Sequence, residues 1–252
     1  MKKRHLITRR NAIMTGLTSV GGLLLTGCIK KAPPTYGNLL RMGDALTYAA
    51  HRALLPGQSL VKEYQPADIS AFPATGTTNP GDTSRRGDHE IPYSKDYAQL
   101  HSSSFTDWSL SVEGSVARPT RFSLADLKGF TARTQITRHT CEEGWTAIAE
   151  WKGVPLHTIL NRTGISKNAR YVNFYAYDGY MESIDMLDAL HPQTILAYGM
   201  NGQDLPVPHG APIRLRVETQ IGYKSVKYLQ RIVVTDEFVD TGDSGWAWYT
   251  GI

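Results

Sequence analysis

The sequence predicts an α+β domain in which mixed β-sheets are surrounded by helices. Three observations lead to this fold class: alternating segments typical of strands, short helical segments with capping residues, and turn residues between them. WSLSVEG (108–114) alternates as a strand does, and Ser123 is a typical N-cap at the start of SLADLKGF (123–130). These segments extend over about 150–170 residues without an internal repeat, which is the usual size of one domain.

From residue 131 onward the predicted elements follow in chain order: a strand in TARTQITRHTC (131–141), a helix in PLHTILNRTG (155–164), a strand and turn in ARYVNFYAYDGY (169–180), a helix, a strand and an Asn-Gly turn in 181–206, and strands in APIRLRVE (211–218) and VKYLQRIVVTDEF (226–238). Gly164 closes the first of these helices, since glycine is the usual residue just after a helix. The strand over 131–141 leads into a loop around Cys141.

Residues 28–82 predict a tether, a short helix over 39–55 and a loop. The segment 70–93 is rich in Gly, Pro, Ser and Thr and has no periodicity, and a loop of this length is either functional or disordered. We expect the main domain at 83–240. An aromatic tail over 241–252 either folds back on the core or contacts a partner.

The N-terminus has the organisation of an export signal. A basic start precedes a mildly apolar stretch over 12–25, and Arg9-Arg10 predicts the twin-arginine route. The signal over 1–27 ends in Leu-Thr-Gly before Cys28, which resembles a lipobox. An ordinary membrane anchor and a chance cysteine are the alternatives. We expect a periplasmic protein that contacts the membrane through a lipid on Cys28.

The excess of basic residues belongs to this signal. It contains five lysines and arginines and no acidic residue, so 22 of the 27 basic residues remain beside 23 acidic ones. A basic surface for nucleic acid is therefore not predicted.

Cys141 is the only other cysteine, and it lies in the polar stretch RHTCEEGW (138–145). A free cysteine in an exported protein is buried, reactive or bound to a metal. His139 with Cys141 and a glutamate could also form a zinc or Cys–His hydrolase site. Zinc sites need three or four ligands, however, and the mature chain offers no further cysteine.

Five segments in this order resemble the sulfite oxidase-type molybdopterin enzymes, and within them the periplasmic methionine-sulfoxide reductase catalytic subunits. They are DWSLSVEGSVARPTRFSLADL (107–127), RHTCEEGWTAIAEWKGVPLHTIL (138–160), YAYDGYMESI (175–184), ILAYGMNGQDLPVPHGAPIRLRV (195–217) and GYKSVKYLQRIVV (222–234). The resemblance implies the molybdopterin-binding fold of that family and a molybdenum-molybdopterin cofactor.

In that family a cysteine thiolate binds molybdenum, and Cys141 matches it. A soft thiolate suits such a centre. The resemblance also implies a set of cofactor-binding residues: His89, Arg138, His209, Arg214, Arg216, Ser225, Val226 and Lys227. Arginine, lysine and histidine can bind the phosphate and the polar rings of a pterin. Glu143 is expected to deliver protons or orient the site, or else to have a structural role in the loop.

Two departures from the family bear on the substrate. Sulfite-oxidising members follow their cysteine with arginines, whereas Glu142 and Glu143 follow Cys141 and would repel sulfite. The upstream pterin-binding stretch of the reductases has no clean counterpart in DHEIPYS (88–94), where His89 and Tyr93 are the candidates. Sulfite oxidation is therefore disfavoured, and the substrate does not follow from the resemblance.

The predicted function is two-electron oxygen-atom transfer or reduction, with a small or protein-bound oxidised substrate such as a sulfoxide. The chain has no C-x-x-C-H haem motif and no flavin or iron–sulfur motif. Electrons must therefore pass to or from a membrane-bound haem subunit or another redox subunit. The alternative is a non-catalytic lipoprotein that keeps the fold as a binding or assembly module without metal.

Overall fold

A computed structural model describes residues 59–83 and 93–237, together with the single positions 46, 50 and 239. The chain divides into two compact units, 1–54 and 55–252, and all the elements below belong to the second. The predictions for the export signal, Cys28, His89 and the tail lie outside the described residues. Of the helix predicted over 39–55, only Leu46 and Ala50 are described, and both are helical.

The second unit contains ten strands within its described residues: β1 (Ser109–Gly114), β2 (Thr120–Ser123), β3 (Arg133–Thr140), β4 (Thr146–Pro155), β5 (Tyr171–Ala176), β6 (Met181–Asp185), β7 (Ile195–Met200), β8 (Gln203–Asp204), β9 (Arg214–Arg216) and β10 (Leu229–Thr235). The α-helices are α1 (Lys95–Ser102), α2 (Leu124–Gly129), α3 (Leu156–Thr163) and α4 (Met186–Leu190). Three short 3₁₀ helices lie at Pro66–Asp68, Val207–His209 and Gly222–Lys224.

The first sheet has the strand order β2-β1-β10-β5-β6. Strands β1 and β10 are parallel, and the other neighbours are antiparallel. Leu110 and Val112 of β1 and Ile232 and Val234 of β10 are buried at alternate positions, as the pleat of a strand requires. These side chains form the main core together with the apolar residues of α3.

The second sheet has the order β3-β4-β7-β8, and β9 also pairs with β7. Strands β3 and β4 form a hairpin in which Arg133 pairs with Gly153 and Thr140 with Thr146. A Cβ at Gly153 would lie 2.2 Å from the Leu196 carbonyl oxygen, so only glycine allows β4 to pair with β7 here. This sheet matters for function because its hairpin ends at Cys141.

The predicted capping residues act as expected. Ser123 accepts a hydrogen bond from the Asp126 backbone N–H at the start of α2, and Gly164 ends α3 with a φ of 72°. Strands β2, β4 and β6 and helix α1 had no counterpart in the sequence prediction. The segment 181–185 was assigned to a helix, but it is strand β6, because it pairs along β5 and Asp185 caps the helix that follows.

No helix in the described part of the chain is long and apolar enough to cross a membrane.

A buried ion pair joins β6 of the first sheet to the 3₁₀ helix Gly222–Lys224, and we expect its disruption to destabilise the protein. The Lys224 ammonium lies 2.9 Å from the Glu182 carboxylate, with both side chains almost fully buried. Lys224→Met leaves an uncompensated buried charge, so the free energy of unfolding is expected to fall by about 3–5 kcal/mol. Denaturant unfolding measures it. The exposed pair Lys128–Asp204 provides the control, since Lys128→Met is expected to cost at most about 1 kcal/mol. Equal losses in the two variants would contradict this account.

Candidate functional site

Cys141 lies at the tip of the β3–β4 hairpin, and the backbone of a tight turn fixes its position. The Cys141 N–H donates to the Trp145 carbonyl oxygen at 2.9 Å, and the Gly144 N–H donates to the Cys141 carbonyl oxygen at 3.1 Å. Gly144 has a φ of 89°, which glycine adopts without strain. The side chain of Cys141 is 6% exposed, and it points into a cavity.

The surroundings of the Cys141 thiol favour its protonated form. Burial raises the pKa of Cys141, and the nearby carboxylates of Glu142 and Glu143 raise it further. The Glu143 N–H, which donates to Sγ at 3.5 Å, acts in the opposite direction. A metal cation bound to sulfur reverses this balance, because coordination deprotonates a thiol.

The cavity has a volume of about 280 Å³, and loops from distant parts of the sequence line it. They are the segment 72–77, the hairpin tip 141–145, the turn 178–180, the segment 208–214 and the segment 222–227. His139 of β3 completes the lining beside Cys141. Residues two apart along a strand share a face, which explains why His139 and Cys141 are both buried here.

Arg214 enters the cavity as a buried cation without a carboxylate partner among the described residues. Its side chain is 4% exposed, and it donates to the carbonyl oxygens of His209 at 3.0 Å and Ser225 at 2.9 Å. Its Nε is buried and has no hydrogen-bond partner in this part of the chain. Burial lowers the pKa of Arg214 to about 9, and the neighbouring Arg216 contributes.

Lys227 is the second cation of the cavity. Its ammonium donates to the carbonyl oxygens of Thr75 at 2.8 Å and of Thr77, and it forms no ion pair with any described residue. Burial and the charge of Arg214 lower the pKa of Lys227 to about 8. Carbonyl oxygens do not neutralise a charge, and the carboxylates of Asp178 and Glu143, which raise the pKa of Lys227, balance its charge only in part, because the pKa remains lowered.

The remaining predicted residues fall into two groups. His209, Ser225 and Val226 line the cavity with Arg214 and Lys227, and Glu143 lines it beside Cys141. The Trp145 indole donates to the Glu143 carboxylate at 3.0 Å, so this side chain also fixes the loop. The structure thus brings these residues together, and their binding of the cofactor stays a prediction.

Arg138 and Arg216 do not lie where the sequence analysis placed them. Arg138 is exposed on the opposite face of β3 from Cys141, and its guanidinium lies 5.2 Å from the centre of the Tyr64 ring. Arg216 is buried behind the cavity, where it pairs with Glu218 at 2.8 Å. Both departures from the predicted positions have a local cause, namely strand alternation for Arg138 and an ion pair for Arg216.

Other predictions concerned the rim of the cavity. Asp178 and Tyr180 of the turn after β5 line the cavity, whereas Tyr175 and Tyr177 do not. Tyr93 is 44% exposed and is absent from the cavity lining. Part of the long loop predicted over 70–93, residues 72–77, reaches the cavity and binds Lys227 through its carbonyl groups.

His139 was considered as part of a zinc or Cys–His hydrolase site, and the structure places it in the cavity wall. Among the described residues, no three His, Cys, Asp or Glu side chains could hold a metal ion together. The alternation of β3 was the signal that could have found it, because it places His139 and Cys141 on one face.

The residues present fit a cofactor that carries a metal at one part and negative charge at another. Cys141 offers one soft sulfur ligand, and Arg214 and Lys227 offer positive charge that forms no ion pair with a described residue. Two glycines keep space beside these groups. A Cβ at Gly210 would lie 2.8 Å from the Lys227 Cβ, and one at Gly222 would lie 2.7 Å from the His139 Nε2.

Residues 97–241 match the oxidoreductase molybdopterin-binding domain family. The chain belongs to this family. It is therefore a molybdopterin-dependent oxidoreductase, and its cofactor is molybdenum-molybdopterin. The resemblance to sulfite oxidase-type enzymes and the predicted α+β fold are confirmed.

Two similar proteins have names that agree with this family. The chain is 34% identical over 246 residues to an Azospira oryzae protein provisionally named protein-methionine-sulfoxide reductase subunit YedZ1, covering 96% of this chain and 87% of that protein. It is 35% identical over 150 residues to the protein-methionine-sulfoxide reductase catalytic subunit MsrP of Xanthomonas campestris, covering 53% of this chain and 47% of the relative. The chain thus spans about half the length of this second relative.

One solved structure shares the fold. The sulfane dehydrogenase SoxCD of Paracoccus pantotrophus superimposes with a TM-score of 0.50 and 25% sequence identity. The match covers 52% of this chain and 39% of the other.

Proposed function

We propose that this protein is the catalytic subunit of an exported molybdenum-dependent sulfoxide reductase, with methionine sulfoxide, free or in a protein, as its substrate. One observation carries the proposal. A buried cysteine and two cations that form no ion pair with a described residue line a single cavity, in a family whose relatives include named methionine-sulfoxide reductase subunits. Reduction of a sulfoxide takes up two electrons and two protons and releases a sulfide and water.

The cofactor, when bound, supplies the two-electron chemistry of this reaction. Cys141 would bind its molybdenum through sulfur. Arg214 and Lys227 would hold its negatively charged part, with His209, Ser225 and Val226 at the same wall of the cavity.

The cavity rim favours a neutral substrate over an anion. The side chains of Glu142 and Glu143 are exposed next to Cys141, and their negative charge opposes sulfite but not an uncharged sulfoxide. Phe72, Trp145 and Tyr180 provide an aromatic lining that suits an apolar thioether.

Two carboxyl groups could deliver protons to the cavity. Burial raises the pKa of Asp178, which keeps this acid protonated at higher pH than a solvated aspartic acid. Glu143 is exposed and accepts from the Trp145 indole, an arrangement that favours the orienting role for this residue. We assign proton delivery to Asp178 first and to Glu143 second.

The proposal includes export and an electron partner. The twin-arginine pattern over 1–27 supports transport of the folded, loaded enzyme, and Cys28 supports a lipid anchor in the periplasm. Relatives named as subunits support a separate redox subunit, which we expect to be a membrane-bound haem protein. A lipid anchor would keep the enzyme close to such a partner.

The test is cofactor analysis followed by an assay on the full chain purified after export. We expect about one molybdenum and one pterin per chain, and reduction of methionine sulfoxide with a reduced viologen dye as electron donor. Sulfite should not be oxidised at a comparable rate. Protein without molybdenum from a cell that makes the cofactor would refute the proposal and favour the alternative, a lipoprotein that keeps the fold as a binding module.

A further inference from the structure

A chain of buried hydrogen bonds ends at the cavity wall on His139. The Arg216 guanidinium donates to the His139 Nδ1 at 2.7 Å. The same guanidinium forms two hydrogen bonds to the Glu218 carboxylate, at 3.1 Å and 2.8 Å. Gln135 lies four residues before His139 on the same buried face of β3, and its side-chain amide donates to Glu218 at 3.1 Å.

This chain determines which ring nitrogen of His139 carries the proton. A guanidinium has no lone pair to accept a hydrogen bond, so the Nδ1 atom facing it must be the acceptor. In a neutral imidazole the proton then lies on Nε2. The two hydrogen bonds to Glu218 hold the guanidinium in this orientation, since they engage its other N–H groups.

The His139 ring is also held in place by its packing. Its centre lies 5.1 Å from the centre of the Phe72 ring and 5.4 Å from that of Trp145. A Cβ at Gly222 would lie 2.7 Å from the His139 Nε2, so this glycine leaves space for the nitrogen. Within the described part of the chain the Nε2 atom has no hydrogen-bond partner, although it belongs to a cavity-lining residue.

We propose that His139 presents a fixed Nε2–H donor to the group held at Cys141, and that Arg216 and Glu218 are the positioning residues that fix it. The acceptor is an electron-rich oxygen or sulfur atom of that group. This inference rests on the proposed function only in that the cavity holds the cofactor. It assigns Arg216 a role behind the site in place of direct cofactor binding.

The donor should affect the reduction potential of the bound cofactor. A hydrogen bond to an acceptor is stronger when that acceptor gains electron density, so it stabilises the reduced state. Loss of the donor should therefore move the potential to a more negative value. A histidine that only fills the core would have no such effect.

The first experiment measures the tautomer in the cofactor-free full chain. Side-chain ¹⁵N NMR of His139 is expected to show the proton on Nε2 in the wild type. In the double variant Arg216→Met/Glu218→Gln, which leaves no unpaired charge, a mixture of both tautomers is expected. A proton on Nδ1 in the wild type would overturn the proposal. This readout depends neither on molybdenum nor on any substrate.

The second experiment compares two replacements of His139 in the loaded protein. His139→Gln keeps a side-chain N–H near the Nε2 position, whereas His139→Phe keeps the ring shape without a donor. We expect the molybdenum potential of the Phe variant to shift to more negative values and its turnover to fall at least about tenfold, as for other residues that contact metal ligands. The Gln variant should stay close to the wild type in potential.

The outcomes separate this proposal from the proposed function. Equal potentials in the wild type and both variants, or equal shifts in the two variants, would contradict the donor role. A chain that binds molybdenum and shows the expected shift but does not reduce sulfoxides would support the donor role and refute the proposed substrate.

Discussion

Replacing Cys141 with alanine is expected to lower the rate of methionine-sulfoxide reduction by more than about 100-fold, because even residues that only support a metal ligand contribute 10–100-fold. The molybdenum content should fall as well, since Cys141 is the only sulfur-containing side chain among the described residues that line the cavity. The measurements are steady-state turnover with a reduced viologen dye and metal analysis of the same preparation. Cys141→Ser should show the same loss of turnover without leaving a smaller side chain.

The matched control lies one residue away. Thr140 ends β3 and is exposed, so Thr140→Ser changes the same hairpin without reaching the cavity. Its turnover and molybdenum content should equal those of the wild type. A Cys141→Ala enzyme that keeps more than a third of the wild-type turnover would show that this thiol is not the metal ligand.

Local signals made much of the fold predictable. Ser123 and Gly164 mark helix ends through hydrogen bonds and backbone conformations that involve only a few neighbouring residues. Strand β6 depends instead on its pairing with β5, and β4 on its position between β3 and β7. Such pairing is decided by distant segments, and β propensity depends strongly on that context.

The site was predictable as a set of residues but not as an arrangement. Cys141, Arg214 and Lys227 followed from the resemblance to a family, and the structure places them in one cavity. Arg138, a predicted cofactor-binding residue, lies on the exposed face of β3, whereas His139 faces the cavity, because one step along a strand changes the face. That alternation was visible in the sequence.

Arg214 and Arg216 illustrate what strand alternation alone does not decide. They share a face of β9, and both guanidinium groups lie over the Trp151 ring, at 5.1 Å and 4.4 Å. Only Arg216 meets a carboxylate, that of Glu218, and so only Arg214 remains available to an anion. Lys227 lies about 150 residues from Thr75 and Thr77 in the sequence. No pattern within either segment therefore predicts these contacts.

The cations of the cavity give the second large effect, which is a loss of cofactor loading. Hydrogen bonds to charged groups contribute about 1.5–3 kcal/mol each, so Arg214→Met and Lys227→Met should each weaken cofactor binding by about 10–100-fold. Pterin and molybdenum are expected to fall together, unlike the effect of Cys141→Ala, which acts on the metal first. Pterin fluorescence and metal analysis of the purified chain provide the measurement.

Arg138→Met is the matched control, because it removes an arginine from the exposed face of β3 and should leave cofactor loading unchanged.

The unfolding temperature of the cofactor-free variants distinguishes lost cofactor binding from misfolding. Burial lowers the pKa of Lys227, which means that the folded, cofactor-free protein disfavours the charge. Cofactor-free Lys227→Met should therefore unfold at the same temperature as the wild type or higher, although it loads poorly. Poor loading combined with a lower unfolding temperature would instead identify Lys227 as a structural residue, whose bonds to the 72–77 loop hold the cavity together.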